Sequence, residues 1–283
     1  MIDRLEIDAN DLTFTARASG PEEGRRVLLL HGFPQTSWAW RAQLTALGEA
    51  GYRAVAPDLR GYSIGARPPE VTDYGLEHLV DDVMALADTM EMTVFDLIGH
   101  DWGGLLAWVV ASRFPDRVRS LCAISTPHPH ALRHALTGAD PQQALRSASL
   151  SIIEQPDLVE HLLLGEEGWG SGLGELFLDS GLDASQTQEY LAVLSRPGAM
   201  TAALNWFRAM GDDDLADLPT VVVPTLYVWS SGDAVLGRVA AEATADYVGG
   251  LYEFAELEGV SHWIPELAPD ELNHLLLRHL WAT

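Results

Sequence analysis

Short apolar runs alternate along the chain with longer stretches in which apolar residues return every third or fourth position. The runs predict strands: Val27-Leu28-Leu29-Leu30, Arg53-Ala54-Val55-Ala56 closed by Pro57-Asp58, Val94 to Ile98, Ser120 to Ile124, Thr220 to Trp229 and Leu251 to Phe254. An N-terminal stretch, Leu5 to Ala18, has the alternation of a hairpin. Helical spacing fills the gaps around 37–49, 76–90, 102–113, 237–247 and 268–281. Strand alternating with helix implies an α/β fold on a largely parallel sheet. The rhythm breaks once, between about 128 and 217, where only amphipathic segments occur: Pro141 to Ile153, Pro156 to Leu164 and Met200 to Met210. That interval is too long and too apolar for a loop, and it predicts a helical cap over the strand ends, where open α/β sheets bind ligands. The expected division is a core of residues 1–127 and 218–283 with a cap of 128–217.

Composition narrows the chemistry. The 283 residues suffice for one large domain with an insertion. The net charge of −24 repels nucleic acid and anionic membranes, so neither is expected as a partner. All 17 basic residues are arginine, and the absence of lysine removes Schiff-base and P-loop chemistry. The single cysteine, Cys122, permits no internal disulfide, and no signal sequence or long apolar span is visible, so a cytoplasmic setting is expected. No cofactor is implied.

Gly99-His100-Asp101-Trp102-Gly103-Gly104 closes the Val94–Ile98 strand and opens the helix that Pro115 stops. G-x-D-x-G at a strand-to-helix corner is a nucleophile elbow carrying aspartate where serine is commoner. A carboxylate attacks carbon through oxygen and becomes an ester, which suits epoxide opening or halide displacement. Aspartate there also suits a helix N-cap, so its partners matter. Phe33, in His31-Gly32-Phe33-Pro34 directly after a strand, and Trp102 offer backbone N–H groups for an oxyanion hole. Asp233 follows the Thr225–Trp229 run, and His262 lies beyond the run ending at Phe254. The order nucleophile, acid, histidine is that of elbow hydrolases, with Asp101 as nucleophile, His262 as general base and Asp233 orienting it. His128, His130 and His134 lack the spacing and acidic partner of a metal site and read as cap-hinge and helix-surface residues.

On these segments, with Trp38 and Trp40, Asp58-Leu59-Arg60-Gly61-Tyr62-Ser63, Asn205-Trp206-Phe207-Arg208 and Gly259-Val260-Ser261-His262-Trp263, the chain resembles the epoxide hydrolase and haloalkane dehalogenase group of α/β-hydrolases over nearly its full length. The resemblance implies an eight-stranded, mostly parallel sheet with an inserted helical cap. It also implies a two-step reaction through an alkyl ester on Asp101. Epoxide hydrolysis to a diol is expected first. Haloalkane or haloacid dehalogenation is the alternative, weakened because Phe33 stands where a second halide donor is usual. A non-catalytic ligand-binding or biosynthetic homologue is a remote third. Enzymes of the group usually activate the epoxide with two cap tyrosines; the position of one is held here by Phe207, and that of the other falls near Ser149 in Arg146-Ser147-Ala148-Ser149. Tyr190, Trp206, His128 and His161 are the candidate replacements. Trp38, Tyr190, Trp206, Phe207 and Trp263 are expected to line a cleft for a small hydrophobic substrate. The oligomeric state is not legible.

Overall fold

The structure, a computed structural model, describes residues 1–148, 152–153, 155–165, 172–211 and 213–283. Strands β1 (Asp3–Ala9) and β2 (Leu12–Ser19) form the N-terminal hairpin, paired from Asp3↔Ala18 to Ala9↔Leu12. Asn10 and Asp11 both take positive φ, 51° and 59°, as a two-residue hairpin turn requires. Then follow β3 (Arg25–Leu30), α1 (Arg41–Glu49), β4 (Tyr52–Pro57), α2 (Leu76–Thr89), β5 (Phe95–His100), α3 (Trp102–Arg113) and β6 (Val118–Ile124). After the helices of the insertion come β7 (Thr225–Ser230), α10 (Arg238–Ala243), β8 (Tyr252–Leu257), α11 (Ile264–Leu267) and α12 (Pro269–Ala282).

The sheet has eight strands in the order β1-β2-β4-β3-β5-β6-β7-β8. Only the β1–β2 and β2–β4 pairs are antiparallel. The central strands are buried on both faces, which is why Val27 to Leu30 is an uninterrupted apolar run. One apolar cluster fills the side covered by α2 and α3, with Phe14, Leu97, Trp108 and Val110; the other lies under α1 and α12, with Leu29, Leu44, Leu272 and Leu276. Helix α3 is buried almost all round, as its apolar sequence demands.

Between β6 and β7 the described residues hold helices and no named strand: α4 (Pro129–His134), α5 (Pro141–Ala148), α6 (Leu158–Leu164), α7 (Gly172–Asp179), α8 (Ala184–Leu194) and α9 (Ala199–Ala209). They share a core with the sheet, since Leu173, Phe177, Tyr190, Leu204 and Trp206 belong to the α2/α3-side cluster. The Trp206 indole donates to the Arg60 carbonyl at 2.9 Å, tying α9 to the loop after β4. One predicted strand is shorter than its apolar run. Pro224 has no N–H to give, and 220–224 makes only an isolated bridge, Val221↔Val248, before β7 begins at Thr225.

Candidate active site

Asp101 is the single residue between β5 and α3, held at φ 53°, ψ −122°. A non-glycine residue there stores about 1–3 kcal/mol of strain that the surroundings must over-determine. They do so by close packing: a Cβ on Gly103 would sit 2.2 Å from the Leu30 carbonyl oxygen, so only glycine lets α3 start this near β3. Asp101 occupies the N-cap position yet makes no capping hydrogen bond. Its side chain turns instead to the sheet edge, where Oδ1 accepts the Phe33 N–H at 2.8 Å and Oδ2 lies 3.3 Å from His262 Nε2. The Trp102 N–H also hydrogen-bonds the carboxylate. A Cβ on Gly32 would fall 2.3 Å from Asp101 Cβ, so the approach of the Phe33 loop depends on that glycine.

His262, in the loop between β8 and α11, places Nδ1 2.8 Å from Asp233 Oδ2. Asp233, after β7, is fixed in turn: its Oδ1 accepts the N–H groups of Val235 (2.7 Å) and Leu236 (2.9 Å). Burial opposes charge on His262, but the Asp233 carboxylate and then the hydrogen bond to Asp101 outweigh it and raise its pKa to about 10. Burial likewise opposes ionisation of both carboxylates. The His262 imidazole nevertheless holds each below its usual value. At neutral pH the arrangement is therefore an imidazolium between two carboxylates. The three predicted triad residues meet, at the C-terminal edge of the sheet.

Behind them lies a polar layer that sequence reasoning missed. His31 Nδ1–H donates to the Gly32 carbonyl at 2.9 Å and its Nε2 accepts the Leu59 N–H at 3.0 Å, which fixes its neutral tautomer. The His262 carbonyl is held by Ser125 Oγ (3.0 Å) and His100 Nε2 (2.9 Å). Gln35 reaches His100 Nδ1 at 2.8 Å and Glu266 Oε1 at 2.7 Å, and Tyr190 donates to the same Oε1 at 2.5 Å. His100 stands inside a motif already singled out and Gln35 directly follows another, so their positions were the available signal; Glu266 had none beyond following His262 closely.

The walls are aromatic. Phe207 packs edge-on against Trp102 (4.8 Å) and Phe33 (5.2 Å), and Trp206 against Trp102 (5.8 Å). Trp38 meets Tyr190 at 5.6 Å, and Trp263 packs on His262 at 5.3 Å. The candidate donors are engaged or remote. Tyr190 is fully buried with its hydroxyl on Glu266, and the Trp206 indole is bound to Arg60. His128 is buried and stacked on Tyr247, its Nδ1 accepting the His130 N–H, while His161 is exposed on α6. Ser149 lies outside the described residues.

A family profile described as alpha/beta hydrolase fold matches residues 25–147. The AB hydrolase superfamily protein YfhM of Bacillus subtilis is 34% identical over 278 residues, covering 97% of this chain and 96% of that protein. Human epoxide hydrolase 4 is 31% identical over 289 residues, covering 96% of this chain and 76% of its own length. Among solved structures, an epoxide hydrolase from metagenomes of hot environments superposes with a TM-score of 0.87 at 26% identity, covering 99% of both chains. The Bacillus megaterium epoxide hydrolase in complex with an inhibitor superposes with a TM-score of 0.87 at 24% identity, covering 98% of this chain and 99% of that one, a likeness of fold.

Proposed function

The chain belongs to the epoxide hydrolase group of the α/β-hydrolase family, and from that premise we propose that it opens small hydrophobic epoxides through an aspartate ester and releases the diol. The observation that carries the reading is the set of contacts around Asp101: an ionised carboxylate on a strained elbow, facing a charged His262 that Asp233 holds from behind.

In the first step a carboxylate oxygen of Asp101 attacks an epoxide carbon and the C–O bond breaks toward the ring oxygen. The alkoxide needs a proton; Tyr190 and Trp206 already donate elsewhere, His128 is buried against Trp108 and Tyr247, and His161 is exposed on α6, so none of them is placed to give one. His262 is. Its Nε2–H, 3.3 Å from the Asp101 carboxylate, passes to the alkoxide and leaves a neutral imidazole beside an uncharged ester. Esterification removes one of the two carboxylate charges that raised the His262 pKa, so the same residue then becomes a base. It takes a proton from water as the hydroxide adds to the ester carbonyl. The N–H groups of Phe33 and Trp102 receive the oxyanion. Collapse expels the glycol oxygen, which takes the remaining water proton, and restores Asp101 as carboxylate and His262 as imidazolium. Phe33, Trp102 and Phe207 give the reacting carbon an apolar surround.

The test is turnover. Purified protein with styrene oxide is expected to yield phenylethane diol, with no activity in Asp101→Asn, and to release no halide from 1-bromobutane. Halide release without diol would replace the reading by dehalogenation.

A further inference from the structure

Glu266 is the third residue of α11, four residues after His262; it is buried, and its Oε2 has no hydrogen-bond partner. Its Oε1 lies 2.5 Å from the hydroxyl of Tyr190, on α8, and 2.7 Å from the side-chain amide of Gln35, from the loop of the Phe33 N–H. The proton inventory of this chain of contacts is informative. His100 Nε2 faces the His262 carbonyl, which can only accept, so Nε2 carries the hydrogen. Burial and then the His262 charge press the His100 pKa down to about 4, so its Nδ1 is bare at neutral pH. With the Gln35 oxygen toward His100, two lone pairs meet at 2.8 Å. Turning the amide over repairs that contact at the expense of the long 3.2 Å Gly32 bond, but sets the Gln35 oxygen against Glu266 Oε1 at 2.7 Å. Either orientation is one proton short if Glu266 is ionised. A proton on Oε1 completes the second: Glu266 donates to Gln35, Gln35 to His100 and His100 to the His262 carbonyl.

We propose that Glu266 is a positioning residue that carries a proton in the closed protein and through it ties cap helix α8 to the backbone of the His262 loop. The inference rests on His262 being the catalytic base. The surrounding groups agree. Oε2 left as a carbonyl oxygen costs less unpartnered than half of a carboxylate would. Arg41, the nearby cation, stacks over the Trp38 ring at 3.7 Å and its buried Nη1 makes no hydrogen bond, so it forms no ion pair with Glu266. Glu189, beside Tyr190, adds negative potential. Burial lifts the Glu266 pKa from 4.5 to about 7 even against Tyr190, Arg41 and a Gln35 amide turned to donate; with the amide turned over, Gln35 favours the proton instead.

The sign follows from linkage. A raised pKa in the closed state means that the proton's contribution is complete below 4.5 and is lost as pH rises through about 7. Opening α8 to water returns Glu266 to its ordinary value, so alkaline pH favours opening. Hydrogen exchange of residues 184–194, corrected for intrinsic rates, reads this without any substrate. Between about pH 6 and about pH 8.5 protection of α8 in the natural protein should fall about tenfold, the ratio these two pKa values set. In Glu266→Gln, whose amide can donate to Gln35 in place of the acid proton, protection should stay constant; in Glu266→Leu it should be low at both pH values. A parallel fall in Glu266→Gln, or none in the natural protein, overturns the proposal. With styrene oxide, kcat of the natural protein should decline across the same range and that of Glu266→Gln should not. Absence of turnover in both would count against epoxide hydrolysis, while the exchange data would still decide on Glu266.

Discussion

At the scale of the residue, the chemistry turns on what each side chain can donate. Asp101 could have been a helix cap, and its contacts decide otherwise: no capping bond, the N–H groups of Phe33 and Trp102 on its carboxylate and an imidazole opposite. Phe207 packs against Trp102 and Phe33 beside Asp101 and brings no hydroxyl there. Phe207→Tyr should therefore raise kcat for styrene oxide by ~10-fold or more, the lower side of what a placed general acid contributes, with KM little changed; steady-state kinetics checks it, and an unchanged kcat would show that His262 already meets the demand. That Asp101, Asp233 and His262 meet was legible in the sequence because all three stand just beyond strand ends in a fixed order. Glu266 was not. An acid early in a helix reads as a surface residue that suits the helix dipole, and only the arrival of Tyr190 from a distant helix reveals a buried hub.

Among the elements, one buried ion pair and one half-buried pair hold the frame that aims the site. Arg60, in the loop under α9, makes a double hydrogen bond to Asp82 of α2 at 2.6 and 2.7 Å, and Asn10 of the hairpin turn joins the same carboxylate. Arg25 of β3 grips Asp96 of β5 in the same way and reaches the Leu280 carbonyl of α12. Removing one partner of a buried pair strands the other, so Asp82→Ala should lose about 3–5 kcal/mol, read as the denaturant midpoint at constant slope. Because Arg60 also presents its carbonyl to Trp206, the loss should be accompanied by weaker protection of α9. The sheet was largely legible as apolar runs, since central parallel strands are apolar on both faces. The packing of the insertion was not, because amphipathic spacing gives a helix's buried face but not its neighbour.

For the whole molecule, charge and pH act together. The net charge of −24 makes the folded chain repel itself, so raising NaCl from ~10 mM to ~0.5 M at pH 8 should raise the melting temperature. The triad adds its own pH window. Asp101 and Asp233 sit below their ordinary 3.8, so their contribution is present above that value and lost as pH falls below it. His262 is raised from 6.5 to about 10, so its contribution is complete below 6.5 and lost as pH rises through about 10. Melting temperature should accordingly decline on the alkaline side. That decline should be smaller in His262→Gln, and differential scanning fluorimetry across pH decides it. No helix of the described residues is long and apolar enough to cross a membrane.

The central claim is that Asp101 becomes an ester that His262 helps to hydrolyse. Intact-protein mass spectrometry of His262→Gln, incubated separately with styrene oxide and with 1-bromobutane, tests it most directly. Without His262 the alkoxide must draw its proton from water, so the account predicts a slowly formed but unhydrolysed adduct of the whole epoxide mass from styrene oxide, mapped to Asp101 and absent in Asp101→Asn/His262→Gln, and nothing from the bromide. A butyl adduct alone, or no adduct from an epoxide that the natural protein turns over, would contradict it.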